Sequence, residues 1–420
     1  MDKLVIEGNN RLKGEVVVSG AKNAALPIMA ATLLTDQPCV IKGVPSLRDT
    51  NTMLKILRSL GKDAEFDKGT VRIARGKDTG SFADYKLVST MRASFCVLGP
   101  LLGKLKKAKV SLPGGCVIGV RPVDLHLKGL KALGAEISIE AGYVNASAPK
   151  LKGNSMYLGG VYGSSVLATD NVMMAATLAR GKTIIESAAC EPEVADLAEF
   201  LIKMGAKIKG HGTPTIEIEG VKELHGAEHQ IIPDRIESGT WILASLITNG
   251  DIRIKNCCLS HLGALVDKLQ EAGALLTKTD GTVRARLRTK LKPVNVSTLP
   301  YPGFPTDMQA QIMSLMTVTP GISVITEKIY PDRFMHVAEL NRMGAHILRE
   351  GPHAIVEGIK NLSGAPVMAS DLRASACLVL AGLAAKGTTA ISRIYHLERG
   401  YENIEQKMQG LGAKVWREKE

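Results

Sequence analysis

Apolar and polar positions along this chain fall into a unit that is written six times. In each copy an amphipathic stretch ends on glycine: Leu57-Arg-Ser-Leu-Gly61, Leu130-Lys-Ala-Leu-Gly134, Leu201-Ile-Lys-Met-Gly205, Leu269-Gln-Glu-Ala-Gly273, Leu340-Asn-Arg-Met-Gly344 and Met408-Gln-Gly-Leu-Gly412. Successive glycines are 73, 71, 68, 71 and 68 residues apart, so the six copies use up the chain. Glycine at that place predicts a helix that stops in the left-handed conformation, and alternation after it, as in Glu136-Ile-Ser-Ile-Glu140 and Lys207-Ile-Lys-Gly210, predicts a strand. A second helix, apolar around most of its circumference, precedes this pair. Examples are Met173 to Ala179, Trp241 to Ile247 and Cys377 to Ala384, followed by strands such as Thr183–Glu186, Asp251–Ile254 and Ile322–Ile325. Helices of that kind are buried.

A βαβ-type unit with one buried and one amphipathic helix is not a doubly wound sheet, whose helices all lie on outer faces. At 420 residues the chain exceeds a single core, so three repeats in each of two similar domains is the expected α/β architecture, with a six-repeat solenoid as the alternative.

Composition narrows the chemistry. Fifty-three Lys and Arg against 41 Asp and Glu give a net charge of +12, which favours anionic partners. Only 4% of residues are aromatic, too few for base-stacking platforms, so a phosphorylated small molecule is favoured over nucleic acid. The seven cysteines include no CxxC pair, and no stretch approaches 18 uninterrupted apolar residues. Together with an N-terminus that lacks a signal-peptide core, this predicts a cytoplasmic protein in a reducing compartment without membrane insertion.

The starts of the helices carry an anomaly. The buried helices are expected to begin at the capping residues Asn23, Thr90, Asp170, Asp234, Asp307 and Asp371. Their first turns nevertheless hold Lys22, Arg92, Arg235 and Arg373, where a cation is disfavoured by about 0.3–1 kcal/mol. Arg48, Arg121, Arg333 and Arg399 fall at or just before the second helices. Surface ion pairs account for single cases; the set as a whole suggests anion binding. Pro113, Gly114, Gly115 and Gly119 surround Cys116 in what reads as an exposed loop, and Arg121 nearby favours a thiolate suited to nucleophile or proton donor. Asp307 reads as a cap that can also serve as a base. The nine histidines show no paired ligand spacing, so no metal is expected, and Walker A and GxGxxG fingerprints are absent.

Taken together, Gly20-Ala-Lys22-Asn23, Pro113-Gly-Gly-Cys116, Arg121-Pro-Val-Asp124-Leu-His, Pro233-Asp-Arg-Ile-Glu-Ser-Gly-Thr240, Phe304-Pro-Thr-Asp307-Met-Gln-Ala-Gln, Arg333-Phe-Met-His336, Met343-Gly-Ala-His346, Asp371-Leu-Arg-Ala-Ser375 and Arg399-Gly-Tyr-Glu402 resemble the enolpyruvyl transferases over the whole chain. The resemblance implies a two-domain inside-out α/β barrel of six βαβαββ units, three per domain, with the active site in the interdomain cleft. It implies domains of residues 22–232, and of 1–21 joined with 233–420. It further implies transfer of the enolpyruvyl group of phosphoenolpyruvate to the 3′-hydroxyl of UDP-N-acetylglucosamine, with phosphate released, as the first committed step of peptidoglycan synthesis, without a cofactor and by a monomer or weak oligomer.

By the same resemblance Lys22, Arg121 and Arg399 hold phosphoenolpyruvate, with Arg333 and Arg373 lining the cleft beside Asp371. Asn23, Arg92, Arg121, Pro122, Val123, Asp124, Leu125, Ser165, Val166, Asp307 and Ile329 touch the sugar nucleotide. Cys116 protonates C3, forms an adduct at C2 and is the residue an epoxide such as fosfomycin attacks, while Asp307 takes the hydroxyl proton. One stretch, Gly163-Ser-Ser165-Val166-Leu167, departs from the family pattern: a basic residue is missing at Gly163, and Leu167 stands for a glycine. The rivals are the sister transferase acting on shikimate 3-phosphate, which lacks such a cysteine, and a non-catalytic anion or nucleic acid binder.

Overall fold

The computed structural model describes residues 2–77, 80–114 and 123–419. The described chain divides into two compact units. Gly20 through Ile232 form one, and the residues up to Ser19 join those from Pro233 onwards in the other.

Each unit holds three four-stranded sheets, and all six sheets are built alike. An edge strand runs parallel to its neighbour and the next two strands are antiparallel, as in Glu228–Gln230, Cys39–Lys42, Thr70–Arg75 and Lys62–Asp67. The parallel edge strand comes from the segment that follows the previous copy, so the copies are interlocked within each unit. In the second unit the chain's beginning takes part. Asp2–Glu7 lies between Thr388–Ser392 and Lys414–Lys419, and Lys13–Val17 pairs parallel with Asp251–Lys255.

Inside each unit stand three buried helices: Lys22–Ala31, Leu98–Leu105 and Val166–Ala176 in the first, and Arg235–Ile247, Gln309–Thr317 and Leu372–Ala384 in the second. Every residue of Arg235–Ile247 is buried. Amphipathic helices such as Arg48–Ser59 and Pro192–Lys203 bury one face only. Helices inside and sheets around them are the reverse of a doubly wound sheet, as the apolar circumference of the inner helices requires. All six repeat glycines, Gly61, Gly134, Gly205, Gly273, Gly344 and Gly412, have φ between 86° and 106°, the left-handed stop read from the sequence. Among the described residues the six cysteines are free thiols, and no helix is long and apolar enough to cross a membrane.

Four of the six expected helix caps are corrected. Only Asp234 and Asp371 cap as predicted, each accepting two backbone N–H groups of the first turn. Asn23 lies one residue inside its helix, after Ala21. Thr90 precedes a 3-10 helix, Arg92–Val97, flanked by Met91, and its hydroxyl donates to the carbonyl of Leu87. Asp170 sits in the second turn of Val166–Ala176, which Ser165 caps. It is fully buried with neither carboxyl oxygen hydrogen-bonded, and burial, reinforced by Glu191 and Glu193, pushes its pKa well up. Asp307 lies within the 3-10 turn Thr306–Met308, where two arginine side chains take up its oxygens.

One side chain fixes how the helices of the first unit meet. Asn171, fully buried in Val166–Ala176, accepts the N–H of Gly99 at 2.7 Å and donates to the carbonyl of Phe95 at 2.9 Å. Its amide nitrogen also lies 2.8 Å from Nδ1 of His126. Gly99 must be glycine, because a Cβ there would lie 2.2 Å from the carbonyl oxygen of Asn171. Asn171 therefore ties the middle of its own helix to the turn that begins at Arg92, to the start of helix Leu98–Leu105 and to the first turn of helix Asp124–Ala132. Burial, with the charge of Arg92, lowers the pKa of His126 to about 3, so it is neutral at pH 7.

Asn171→Ala leaves a buried N–H and a buried carbonyl without partners and is expected to destabilise the first unit by about 2–4 kcal/mol, read by denaturant unfolding. Because His126 takes up a proton near pH ~6.5 only when unfolded, its contribution is fully present above that pH and lost by about 1.4 kcal/mol per pH unit below it. His126→Gln should flatten that part of the pH dependence between pH ~6.5 and ~4; an unchanged slope would count against a neutral buried imidazole.

Candidate active site

In the second unit the structure brings Asp307, Arg333 and Arg373 into direct contact. Asp307 Oδ1 accepts from Arg333 Nη1 and Oδ2 from Arg373 Nη2, each at 2.9 Å. Both guanidinium groups are buried, at 7% and 4% exposure, whereas the carboxylate keeps 28%. Burial alone would raise the carboxyl pKa, but the charges of Arg373 and Arg333 and their hydrogen bonds outweigh it and hold Asp307 far below the usual carboxylate range. Arg373 is moved the other way: burial would lower its pKa, and the Asp307 charge drives it up.

Each member of this group is held from behind. Arg373 is the second residue of the helix that Asp371 caps, and its Nη1 lies 3.4 Å from the hydroxyl of Tyr401. That hydroxyl also pairs with Thr240 at 2.9 Å and accepts from Gln311 at 3.4 Å. Arg333 donates to Thr306 Oγ1 at 2.9 Å, and Thr306 donates to Glu327. Glu327, fully buried, accepts in addition from Thr298 and from the backbone N–H groups of Ile329 and Tyr330. A single carboxylate thus sets both the turn that carries Asp307 and the segment that carries Ile329. His336, buried close by, is held neutral: burial, opposed by Asp371 and assisted by Arg333, lowers its pKa to about 4.

Arg399 ends the 3-10 helix Ile394–Arg399 and is half-buried. Two residues on, Tyr401 reaches Arg373, and then Glu402 accepts from the hydroxyl of Ser19 at 2.9 Å. Lys407 donates to that hydroxyl and to Glu237, and Glu237 accepts from the Ser19 N–H and the Trp241 indole. The Arg399 segment is therefore fastened to the start of helix Arg235–Ile247 and to the last residue before the chain passes into the other unit.

In the first unit Lys22 opens a buried helix, and its ammonium pairs with Asp49 at 3.1 Å, both side chains nearly closed to solvent. Asn23 and Arg92 are half-buried at the starts of their helices. Asp124 is exposed at the start of Asp124–Ala132, after Val123, and Leu125 packs toward Gly160. Ser165 and Val166 form the capped start of their helix, with the hydroxyl of Ser165 accepting from Ala168 N–H. Cys116, Arg121 and Pro122 lie outside the described residues.

The sequence reading missed Asp49, Glu327, Tyr401 as a hydrogen-bonding centre, and Asn171. Asp49 had a signal, being next to Arg48 at a helix start; the others look like ordinary polar residues until the fold brings their partners together. Among the described residues no group of three or more His, Cys, Asp or Glu side chains is arranged to hold a metal ion.

Comparison with known proteins agrees with this layout. A family model described as EPSP synthase (3-phosphoshikimate 1-carboxyvinyltransferase) matches residues 6–408. The chain is 55% identical over 420 residues to a UDP-N-acetylglucosamine 1-carboxyvinyltransferase of Geotalea uraniireducens, covering 100% of both chains. It is 56% identical over 420 residues to the enzyme of the same name from Geobacter metallireducens, again covering 100% of both. Among solved structures, the enolpyruvyl transferase NikO from Streptomyces tendae superposes with a TM-score of 0.90 at 25% identity, over 99% of this chain and 98% of that one. EPSP synthase from Acinetobacter baumannii shares the fold, with a TM-score of 0.78 at 20% identity over 100% of both chains. By its sequence along almost its entire length, and by a fold of six like sheets with three buried helices inside each unit, the chain belongs to the EPSP synthase family of enolpyruvyl transferases.

Proposed function

We propose that the chain transfers the enolpyruvyl group of phosphoenolpyruvate to the 3′-hydroxyl of UDP-N-acetylglucosamine and releases phosphate, the entry step to peptidoglycan, in the cytoplasm. The observation that carries this reading is Asp307, an ionised carboxylate held between two buried arginines, in a chain 55% identical throughout to enzymes named for that sugar nucleotide. The departures at Gly163 and Leu167 bear on nucleotide affinity rather than on the reaction.

The chemistry needs a base for the hydroxyl, an acid for the enol carbon and cations for the phosphate. Asp307 takes the proton of the 3′-hydroxyl as its oxygen bonds to C2 of phosphoenolpyruvate, while Cys116 delivers a proton to C3. Loss of a C3 proton and cleavage of the C2–O bond to phosphate then restore the double bond. Clamped by Arg333 and Arg373, Asp307 is a weak base in the free protein. The negative charges of the substrates draw on the same guanidinium groups, which returns basicity to the carboxylate when the reactants are in place. Lys22, Arg121 and Arg399 hold phosphoenolpyruvate. Asn23, Arg92, Arg121 to Leu125, Ser165, Val166 and Ile329 orient the nucleotide, and Asp371 sets Arg373 through the helix cap.

Phosphate release is expected only when phosphoenolpyruvate and UDP-N-acetylglucosamine are both supplied, and fosfomycin is expected to inactivate the protein but not Cys116→Ser. Release with shikimate 3-phosphate instead would transfer the assignment to the sister activity, and inactivation that persists in Cys116→Ser would remove Cys116 from its role. Lys22→Ala is expected to weaken phosphoenolpyruvate binding by about 2–4 kcal/mol, the cost of losing a charged hydrogen-bonding partner, while UDP-N-acetylglucosamine binding, measured calorimetrically, changes far less. Equal phosphoenolpyruvate affinity in the variant would exclude Lys22 as its ligand.

A further inference from the structure

The second unit carries a cationic hollow that shares no residue with the site above. It lies on the sheet made by Lys13–Val17, Asp251–Lys255, Thr282–Leu287 and Ala274–Thr279. Inward residues Val16, Ile252, Ile254, Val283 and Ala285 are buried. The outward ones form rows across the strands: Arg286, Asp251 and Lys13 in one, and Arg284, Arg253 and Glu15 in the next. A hollow of about 360 Å³ opens there, lined by Arg11, Lys13, Gly14, Asp251, Arg253 and Arg284.

Charge is distributed unevenly around it. Both oxygens of Asp251 are taken by the guanidinium fork of Arg284, at 2.7 and 2.6 Å, and Glu15 is taken by Lys255 at 2.6 Å. Arg11, Lys13, Arg253 and Arg286 are exposed, and among the described residues none of them forms an ion pair. Arg253 and Arg284 stand directly opposite each other on paired strands, an arrangement of like charges that destabilises a sheet. The fold does not require it, because the inner face is buried whatever the outer residues are. Three of these cations, Arg11, Lys13 and Arg253, line the concavity and create a positive potential that gathers anions.

The lining selects among anions. Guanidinium forks match the oxygens of phosphate in pairs. No aromatic side chain lines the hollow, so it has no platform for a nucleic acid base, and its volume is at the lower end of small-molecule sites. We propose that this hollow is a binding site for a small polyphosphorylated anion of the diphosphate class, held by Arg11, Lys13 and Arg253 around the Arg284–Asp251 pair. Such a ligand would bridge Lys13–Val17, the edge strand that leads to Ser19, to the next two strands of the sheet, Asp251–Lys255 and Thr282–Leu287.

The test is calorimetric titration of the full chain with inorganic diphosphate, in the presence of saturating UDP-N-acetylglucosamine so that nucleotide contacts elsewhere are occupied. The expected result is a class of site near one equivalent that weakens at least about tenfold in Lys13→Gln/Arg253→Gln, with catalytic turnover unchanged. The charge-reversed pair Lys13→Glu/Arg253→Glu should abolish it; if that pair misfolds by circular dichroism, the glutamine pair alone decides. Identical isotherms in the parent and the glutamine variant would overturn the proposal. So would binding to vesicles rich in anionic lipid that depends on Arg253 while diphosphate does not bind, because the surface would then serve a membrane.

Discussion

Two buried guanidinium groups share one carboxylate, and much of the second unit is arranged to keep them there. Arg333 and Arg373 come from different repeats, and neither tolerates burial without a partner, since removing one member of such a group leaves a charge uncompensated at a cost of about 3–5 kcal/mol. Asp307 neutralises one charge of two. The residual positive charge suits the anionic substrates of the proposed reaction, a role that would offset the cost of an arginine at a helix start where the backbone dipole disfavours it. Glu327, Tyr401 and the Asp371 cap hold the three groups in place through hydrogen bonds to side chains and backbone rather than through further charges in contact with them.

The architecture makes that arrangement possible. Burying three apolar helices inside a ring of sheets brings helix starts from distant parts of the chain to equivalent places in each unit, and a short side chain at the start can then act together with others of its kind. Asn171 in the first unit and Glu327 in the second have the same task on different chemistry: each is buried completely and saturates several polar groups that neighbouring segments would otherwise leave open. The Ser19–Glu237–Lys407–Glu402 network adds a tie between the Arg399 segment and the residue at which the chain leaves the unit. Burial raises the Glu237 pKa although Lys407 opposes that shift, so the tie depends on an intact buried pair.

Much of the fold was legible in the sequence because its signals are local. A glycine that ends a helix in the left-handed region announces itself, and all six did. Helices apolar all round were read as buried, and they are. The caps were less legible, because an Asp or Asn ahead of an apolar run looks the same whether it caps the helix or lies a turn inside it. Ser165 and Asp170 are five residues apart in one such run, and only the structure separates them. For the site, residue types at helix starts pointed to anion chemistry, and the family resemblance named particular side chains. The pairing of Asp307 with Arg373, 66 residues away, and the role of Glu327 were not legible, because they depend on which segments the sheets bring together. The roles of Cys116, Arg121 and Pro122 rest on the sequence.

The central claim is that Asp307 is an ionised carboxylate stabilised by two arginines. It is tested most directly by the difference in unfolding free energy between the protein and Asp307→Asn, measured by denaturant titration from pH 7 to pH 3. A carboxyl whose folded pKa lies below its unfolded value of ~3.9 contributes stability that is fully present above that value and is lost as the pH falls through the acid range. A difference of about 3 kcal/mol or more is expected, level above pH ~5 and shrinking below pH ~4. A difference that stays constant across the whole range, or is absent at pH 7, would contradict it.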